Sequence, residues 1–362
     1  MIAFYIKAPL TVLLIAFLCH YVVKFLLYLD LNKRVYNHVA GSCSSVAAIE
    51  NGAEDVEFLD EHSAILSAGL QRFGKSDKNV EGKMFVYNVS ARTAWDLKLH
   101  SKTLSTKNFH PHGLCVFRRR NGQKTIFVIN HRKKYDSVEV FALDDKEKQL
   151  NHARTIKSPS FQSLEDLVCL TNEKFFAVNT HYFKDEYLRN AELYLALPLG
   201  NIVYFDGKKS RVVKHWISSP SGIALDISKK WLYVSSMTRE RIIVYRIESD
   251  YNLTEHSTIQ LYGSPDNIFV DPYSADLIVA VHPIKIRKFR HDSDPKNIYS
   301  PSQILKLHGR PIKGNWTVTQ IYANDGAMLS SASVCVKIKD KLLIGSTYDK
   351  FLSCDVDYPH LL

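Results

Sequence analysis

No long block of one charge runs through these 362 residues. Lys and Arg number 47 against 37 Asp and Glu, a formal net charge of +10, but the basic residues are scattered. The densest runs, Arg118-Arg119-Arg120 and Arg132-Lys133-Lys134, lie in no recognisable nucleic-acid-binding pattern. They read as solvated strand ends and loops, and nucleic acid is set aside as a partner. Acidic surfaces and anionic lipid headgroups remain compatible with the charge. Glycine (15) and proline (12) are unremarkable, so the composition is globular. With 46% apolar residues the chain can bury a large core, and 19 Tyr and 18 Phe lean towards strands.

One apolar run has membrane-spanning length: residues 8–29, APLTVLLIAFLCHYVVKFLLYL, in which Lys24 can snorkel. No small-x-small cleavage site follows it, so the run is expected to be an uncleaved signal anchor. The flanking charges do not fix its orientation, because Lys7 opposes Lys33 and Arg34. Three sequons, at Asn88, Asn252 and Asn315, all lie in the globular part and point to a lumenal or extracellular domain. The expected division is a short cytosolic tail (1–7), a transmembrane anchor (8–29), a juxtamembrane linker (30–42) and a domain over 43–362.

That domain is repetitive. Six modules each carry a short polar head, an apolar strand, a turn and a second apolar strand. Their heads are Glu54-Asp55, His112-Gly113, Glu165-Asp166, Ser221-Gly222, Asp266-Asn267 and Ala332-Ser333. Their second strands begin at residues 64, 126, 175, 232, 277 and 342. Such spacing is that of four-stranded propeller blades with variable insertions. The intervening segments supply outer strands: KMFVYNV and WDLKL, VEVFAL and ARTI, NIVYFD and VVKHW, IIVYRI and STIQLY, KIRKF and ILKL. The expected fold is all-β, a six-bladed β-propeller behind an N-terminal transmembrane helix. A solenoid would share the period but not the closure.

The cysteines bear on closure. Cys115, Cys169 and Cys335 fall inside first strands and are expected to be buried thiols acting as small apolar residues. Cys19 is in the membrane run. Cys43 and Cys354 alone flank the repeats, and pairing them would tie the two ends of a ring together.

First strands of propeller blades line the central channel, so the heads converge at one end of the axis. They bring Glu54, Asp55, Glu165, Asp166 and Asp266 together, with Asn267 and Ser221 beside them. Five carboxylates there would repel one another, and oxygen donors in this number suit a hard cation such as calcium. Second strands end at the same face, where His131, His181 and His282 follow three of them. His112 is itself a head residue. Histidines beside a cation are candidates for general-base work.

The segments GAEDVEFL, FHPHGLCVF, VINH, LEDL, THYFKDEYLRNAELYLALPLGNIVYFDG, and SPDNIFVDP with VAVHP resemble the paraoxonases, calcium-dependent arylesterases and lactonases. The resemblance covers roughly residues 40–356. It implies a six-bladed propeller closed by a disulfide matching Cys43 and Cys354, and two calcium ions. Asp55, Asp166 and the carbonyl of Leu114 match a structural calcium site. Glu54, Asp266 and Asn267, with the positions of Glu165 and Ser221, match a catalytic one. His112 and His131 match a water-activating pair, and His282 a pocket histidine. The family pattern has asparagine at both Glu165 and Ser221, and an acid at Thr180; this chain departs from it at all three.

Two functions follow from the resemblance. One is that of membrane-anchored invertebrate relatives which assist assembly of degenerin-type sodium channels. Their partners would be channel subunits or other membrane proteins, reached at the endoplasmic reticulum or plasma membrane. The other is calcium-dependent hydrolysis of aryl esters or lactones. The altered shell favours the first.

Overall fold

The computed structural model describes residues 2–39, 41–49, 51–70, 80–132 and 134–357. Lys133 of the second basic run, and the two ends of the expected division at Met1 and 358–362, lie outside them. Six sheets, antiparallel but for one edge pairing in blade 2, form the blades of a β-propeller. In blade 3 the order from the axis outward is Leu164–Cys169, Phe175–Asn179, Gly200–Phe205 and Ser210–Ile217. Blade 4 repeats it with Pro220–Leu225, Trp231–Ser236, Arg241–Ile247 and Leu253–Gln260.

Period-two alternation builds the core between blades. Phe175 packs with Phe127 towards blade 2, while its neighbour Phe176 packs with Tyr245 towards blade 4. Ile278 likewise joins the cluster containing Leu343, and Val279 the one containing Ile242. The second strands are apolar on both sides because both sides face another sheet.

The ring closes by strand exchange between the chain's ends. Blade 6 takes Ala332–Ile338, Lys341–Ser346 and Leu352–Asp355 from the C-terminal end. Its outermost strand is Cys43–Ser45, with Cys43 opposite Cys354 in register and disulfide-bonded to it.

Four details differ from the sequence reading. Cys115 and Cys169 are not thiols: they form a second disulfide between the first strands of blades 2 and 3. Adjacent first strands converge towards the axis, bringing the two Cα atoms to 6.0 Å; only Cys335 is a free buried thiol of the domain. The segment KIRKF is helical, within Lys285–Ser293, because Ile286 and Phe289 sit at i,i+3 and share one face against an apolar cluster. The fourth strand of blade 5 is Trp316–Asn324 instead, with His38–Val39 paired along its outer edge. WDLKL is divided, Thr93–Asp96 staying in blade 1 while Lys98–His100 crosses to pair with blade 2.

Among the described residues three α-helices stand outside the blades. We name them α1 (Ile2–Tyr28), α2 (Glu186–Tyr194) and α3 (Lys285–Ser293). The window Thr11–Tyr28 of α1 has mean hydropathy 2.0 and buries none of its residues, as a single-pass membrane anchor would. The two disulfides are those of a lumenal or extracellular domain. Asp185 caps α2 by accepting from Tyr187 N and Leu188 N.

The exit of α1 is docked on the propeller. Tyr28 Oη donates to Leu193 O at 2.5 Å, and Leu29 packs with Met237 and Phe289. Buried Asp30 accepts from Lys285 N and Lys285 Nζ, both at 3.0 Å, and Lys285 also pairs with Glu240. Lys33 bridges Asp30 at 2.8 Å and Glu240 at 3.0 Å. Lys285→Met leaves buried Asp30 with Lys33 as its one remaining cation among the described ion pairs, so it is expected to cost about 3 kcal/mol, measured by thermal unfolding of the full chain in detergent. Adding Asp30→Leu should restore most of that loss; equal melting of all three proteins would contradict the clasp.

Among the sequons, Asn252 and Asn315 are exposed, whereas Asn88 is half-buried with its Oδ1 accepting from Ala91 N at 2.8 Å. Asn252→Gln and Asn315→Gln are each expected to remove one glycosidase-sensitive step in gel mobility.

Candidate functional site

The polar heads are β-bulges. In blades 2 to 5, two residues of the first strand stand opposite one of the second: His112-Gly113, Glu165-Asp166, Ser221-Gly222 and Asp266-Asn267. A bulge breaks the alternation, so neighbouring polar side chains can both leave the sheet plane near the axis. Glycine at two of these positions lets adjacent blades touch. A Cβ on Gly113 would lie 2.6 Å from Glu165 O, and one on Gly222 would overlap Asp266 O. Glu54 and Asp55 take the equivalent place in blade 1, where Glu54 N and Asp55 O both bond Ser67.

Two tiers result. Glu54, His112, Glu165, Ser221 and Asp266 line a cavity of about 190 Å³, together with Thr180 and His181. α2 and α3 form its wall through residues including Arg189, Leu193, Lys288 and Phe289. Asp55 and Asp166 lie outside that lining and join blades. Asp55 Oδ2 accepts from Leu114 N at 2.7 Å in blade 2, and Asp166 Oδ2 from Ile223 N at 2.9 Å in blade 4. Burial raises the pKa of each well above the usual carboxylate range, and neighbouring charges add to it: Glu54 for Asp55, Asp55 for Asp166.

In the upper tier Glu54 Oε1 lies 3.2 Å from His112 Nε2 and 3.4 Å from Asn267 Nδ2. Glu165 Oε1 is 3.6 Å from the same His112 nitrogen. His112 Nδ1 meets His131 Nε2 at 2.8 Å, so the two histidines are one hydrogen-bonded pair. His282 is a separate group: buried beside Asp266, its Nε2 is 2.8 Å from Asp266 Oδ2. Burial and the nearby Lys288 ammonium lower its pKa, against the pull of Asp266. His181 Nδ1 lies 3.5 Å from Glu192 Oε2 of α2.

Glu165, Thr180 and Ser221 are all engaged within the protein. Thr180 Oγ1 is 3.0 Å from Glu165 Oε2 and 2.8 Å from Pro220 O. Ser221 Oγ donates to Pro265 O at 3.0 Å. Two wall or pair residues escaped the sequence reading. Lys288 is buried with Nζ 2.7 Å from Asp292 Oδ1; its segment read as a strand, which hid its aim. Asp136, 2.8 Å from His131 Nδ1, was signalled only by standing five residues on across a hairpin.

The donor set fits a hard cation. A bare His112 Nε2 and two carboxylates repel, so this corner calls for a proton or a positive ion among them. Among the described residues no three Asp, Glu, His or Cys side chains are poised on one point. Amide, hydroxyl and carbonyl oxygens from Asn267, Ser221 and Leu114 would have to complete any shell.

The arylesterase family model matches residues 35–356 of the chain, blades and site included. This chain belongs to the arylesterase family. Serum paraoxonase/arylesterase 1 of Mus musculus is 32% identical over 319 residues, covering 87% of this chain and 89% of that protein. Mechanosensory abnormality protein 6 of Caenorhabditis elegans is 29% identical over 357 residues, 94% of this chain and 93% of the relative. A luciferin-regenerating enzyme superposes with TM-score 0.56 over 87% of this chain and 95% of its own, at 9% identity, a likeness of fold alone. The matched range takes in all six heads and His131.

Proposed function

We propose that the chain is a membrane-anchored accessory factor, or chaperone, for the assembly of membrane proteins of the degenerin-type sodium-channel kind. The observation carrying this reading is the engagement of the altered shell: Ser221 spends its hydroxyl hydrogen on Pro265 O, and Thr180 bonds Glu165. A shell tied into internal hydrogen bonds suits a structural part better than one that exchanges ligands during turnover. The similarity to the C. elegans relative over 94% of this chain supports it, as does the docking of α1 on the wall of the cavity. The propeller would face the lumen of the endoplasmic reticulum or the cell exterior.

Two calcium ions fit the tiers. Asp55, Asp166 and the carbonyl of Leu114 would hold the lower. Glu54, Asp266 and Asn267, with Glu165 and Ser221, would hold the upper. Bound there, calcium offsets the carboxylate repulsion and can polarise a carbonyl oxygen.

The test is rescue. Cells lacking the chain should show several-fold less channel subunit at the surface, and both the wild-type chain and His112→Gln should restore it. Failure of His112→Gln alone to rescue, with the protein folded, would overturn the reading.

A second reading, hydrolysis of aryl esters or lactones, is favoured by the His112–His131 contact of 2.8 Å. Turnover by the full chain in detergent, abolished by His112→Gln, would establish it.

A further inference from the structure

We propose that Asp136 is a positioning residue for the histidine pair, fixing the tautomer of His131 and through it that of His112. Asp136 begins the third strand of blade 2 and stands directly opposite His131 in register. Its two carboxylate oxygens have separate tasks. Oδ1 lies 2.8 Å from His131 Nδ1, and Oδ2 accepts from Leu164 N at 2.9 Å, in the residue preceding Glu165.

A carboxylate accepts hydrogen bonds and donates none when ionised, so the short contact places a hydrogen on His131 Nδ1. In a neutral ring, Nε2 is then the acceptor. It faces His112 Nδ1 at 2.8 Å, which must carry the hydrogen of that bond. In a neutral His112 ring Nε2 then keeps the lone pair, and it is the atom directed at Glu54 and Glu165 on the cavity side; a proton added there makes an imidazolium paired with Glu54. The chain Asp136–His131–His112 thus decides which nitrogen is offered to the cavity.

The second bond adds geometric control. Asp136 ties the histidine pair of blade 2 to the backbone that enters the bulge of blade 3. A ring rotation at His131 would break the Nδ1 bond while Leu164 still held the carboxylate. The pair and Glu165 are therefore placed by one side chain, buried at 9% exposure. A structural role alone would need only the Leu164 bond.

For its kinetic consequence this inference rests on the hydrolytic reading; the tautomer does not. The experiment uses the full chain in detergent, labelled with ¹⁵N-histidine, and long-range ¹H–¹⁵N correlation to read which nitrogen of His131 is protonated. The wild type should show hydrogen on Nδ1. Asp136→Asn should mix or reverse the tautomers, and Asp136→Glu should restore the wild-type pattern. Because Asn also weakens the bond to Leu164 N, Asp136→Ser, whose hydroxyl can still accept from that amide, is measured beside it as the second folded variant. Retention of Nδ1–H in folded Asn and Ser variants would overturn the proposal. On phenyl acetate, Asp136→Asn is expected to lower kcat on the order of 10²-fold with little change in KM, a split that loss of a cap would not give. Absence of wild-type turnover would remove the hydrolytic reading and leave the tautomer result to decide Asp136.

Discussion

Cys354→Ser is expected to give a large loss of stability. The bond it removes closes a loop with a sequence separation of 311 residues. In the chain-entropy model such a closure is worth about 5.5 kcal/mol, an upper figure, since strain and residual structure in the unfolded chain reduce it. The Cys115–Cys169 bond, with a separation of 54, is worth roughly 4 kcal/mol by the same relation, because the dependence on loop length is logarithmic. The two differ more in position than in entropy. Cys115–Cys169 joins blades already consecutive in the chain. Cys43–Cys354 holds the three-residue strand Cys43–Ser45 on blade 6, with only a short hydrogen-bonded ladder to help it. Unfastening it exposes the edge of Leu352–Asp355, and a ring with an open edge can splay. For a domain of this size, about 5.5 kcal/mol corresponds to a fall of about 8 °C in Tm. Cys19→Ser, in the membrane helix, should leave Tm unchanged. A Cys354→Ser protein melting with the wild type would show that strand pairing alone closes the ring.

Chelation is expected to invert the dependence of stability on pH. Asp55 and Asp166 carry folded pKa values raised by burial first and by neighbouring carboxylates second. A carboxyl raised in this way holds its proton more tightly folded than unfolded. Without an ion, these groups favour the folded state most below about pH 4, where the unfolded chain also keeps its protons. Their contribution is lost as pH rises through the raised folded values, at up to about 1.4 kcal/mol per pH unit for each group. Calcium prefers the ionised form, so in its presence stability should instead rise with pH from the acid side. At a free concentration a hundred times Kd, each ion would add about 2.7 kcal/mol. Thermal melts from pH 5 to 8.5, in chelator and in calcium, should therefore cross or converge towards acid. Parallel curves would mean that no calcium binds at the heads.

The crossing also bears on Glu165. Its carboxylate adds negative charge at the His112 nitrogen that Glu54 also faces. Glu165→Asn should flatten the chelated curve, since less repulsion then remains for an ion to relieve.

Much of this was legible in the residues, and the reasons are physical. A blade strand alternates because a sheet has two faces, so FFAVN and LIVAV announce themselves as strands buried on both sides. Polar pairs at one phase of a repeat must gather when the repeat closes, which put Glu54, Asp55, Glu165, Asp166 and Asp266 at one end of the axis. The pairing of Cys43 with Cys354 was legible from their places outside the repeats. KIRKF was not, because a basic segment with two apolar residues fits a strand or one helical face equally well. Only the contact of Ile286 and Phe289 with the cluster around Leu29 selects the helix.

The sequence by itself determined the ring, its N-terminal apolar helix and the identity of the groups brought to the axis, because these depend on periodicity and composition. The tertiary structure decided how those groups meet. Bulges aim both residues of a head out of the sheet. Convergence of first strands makes a disulfide of Cys115 and Cys169. A hairpin sets Asp136 against His131, while His282 meets Asp266 and His181 meets Glu192. Periodicity says which face a side chain takes; hydrogen bonds between strands distant in sequence settle its partner.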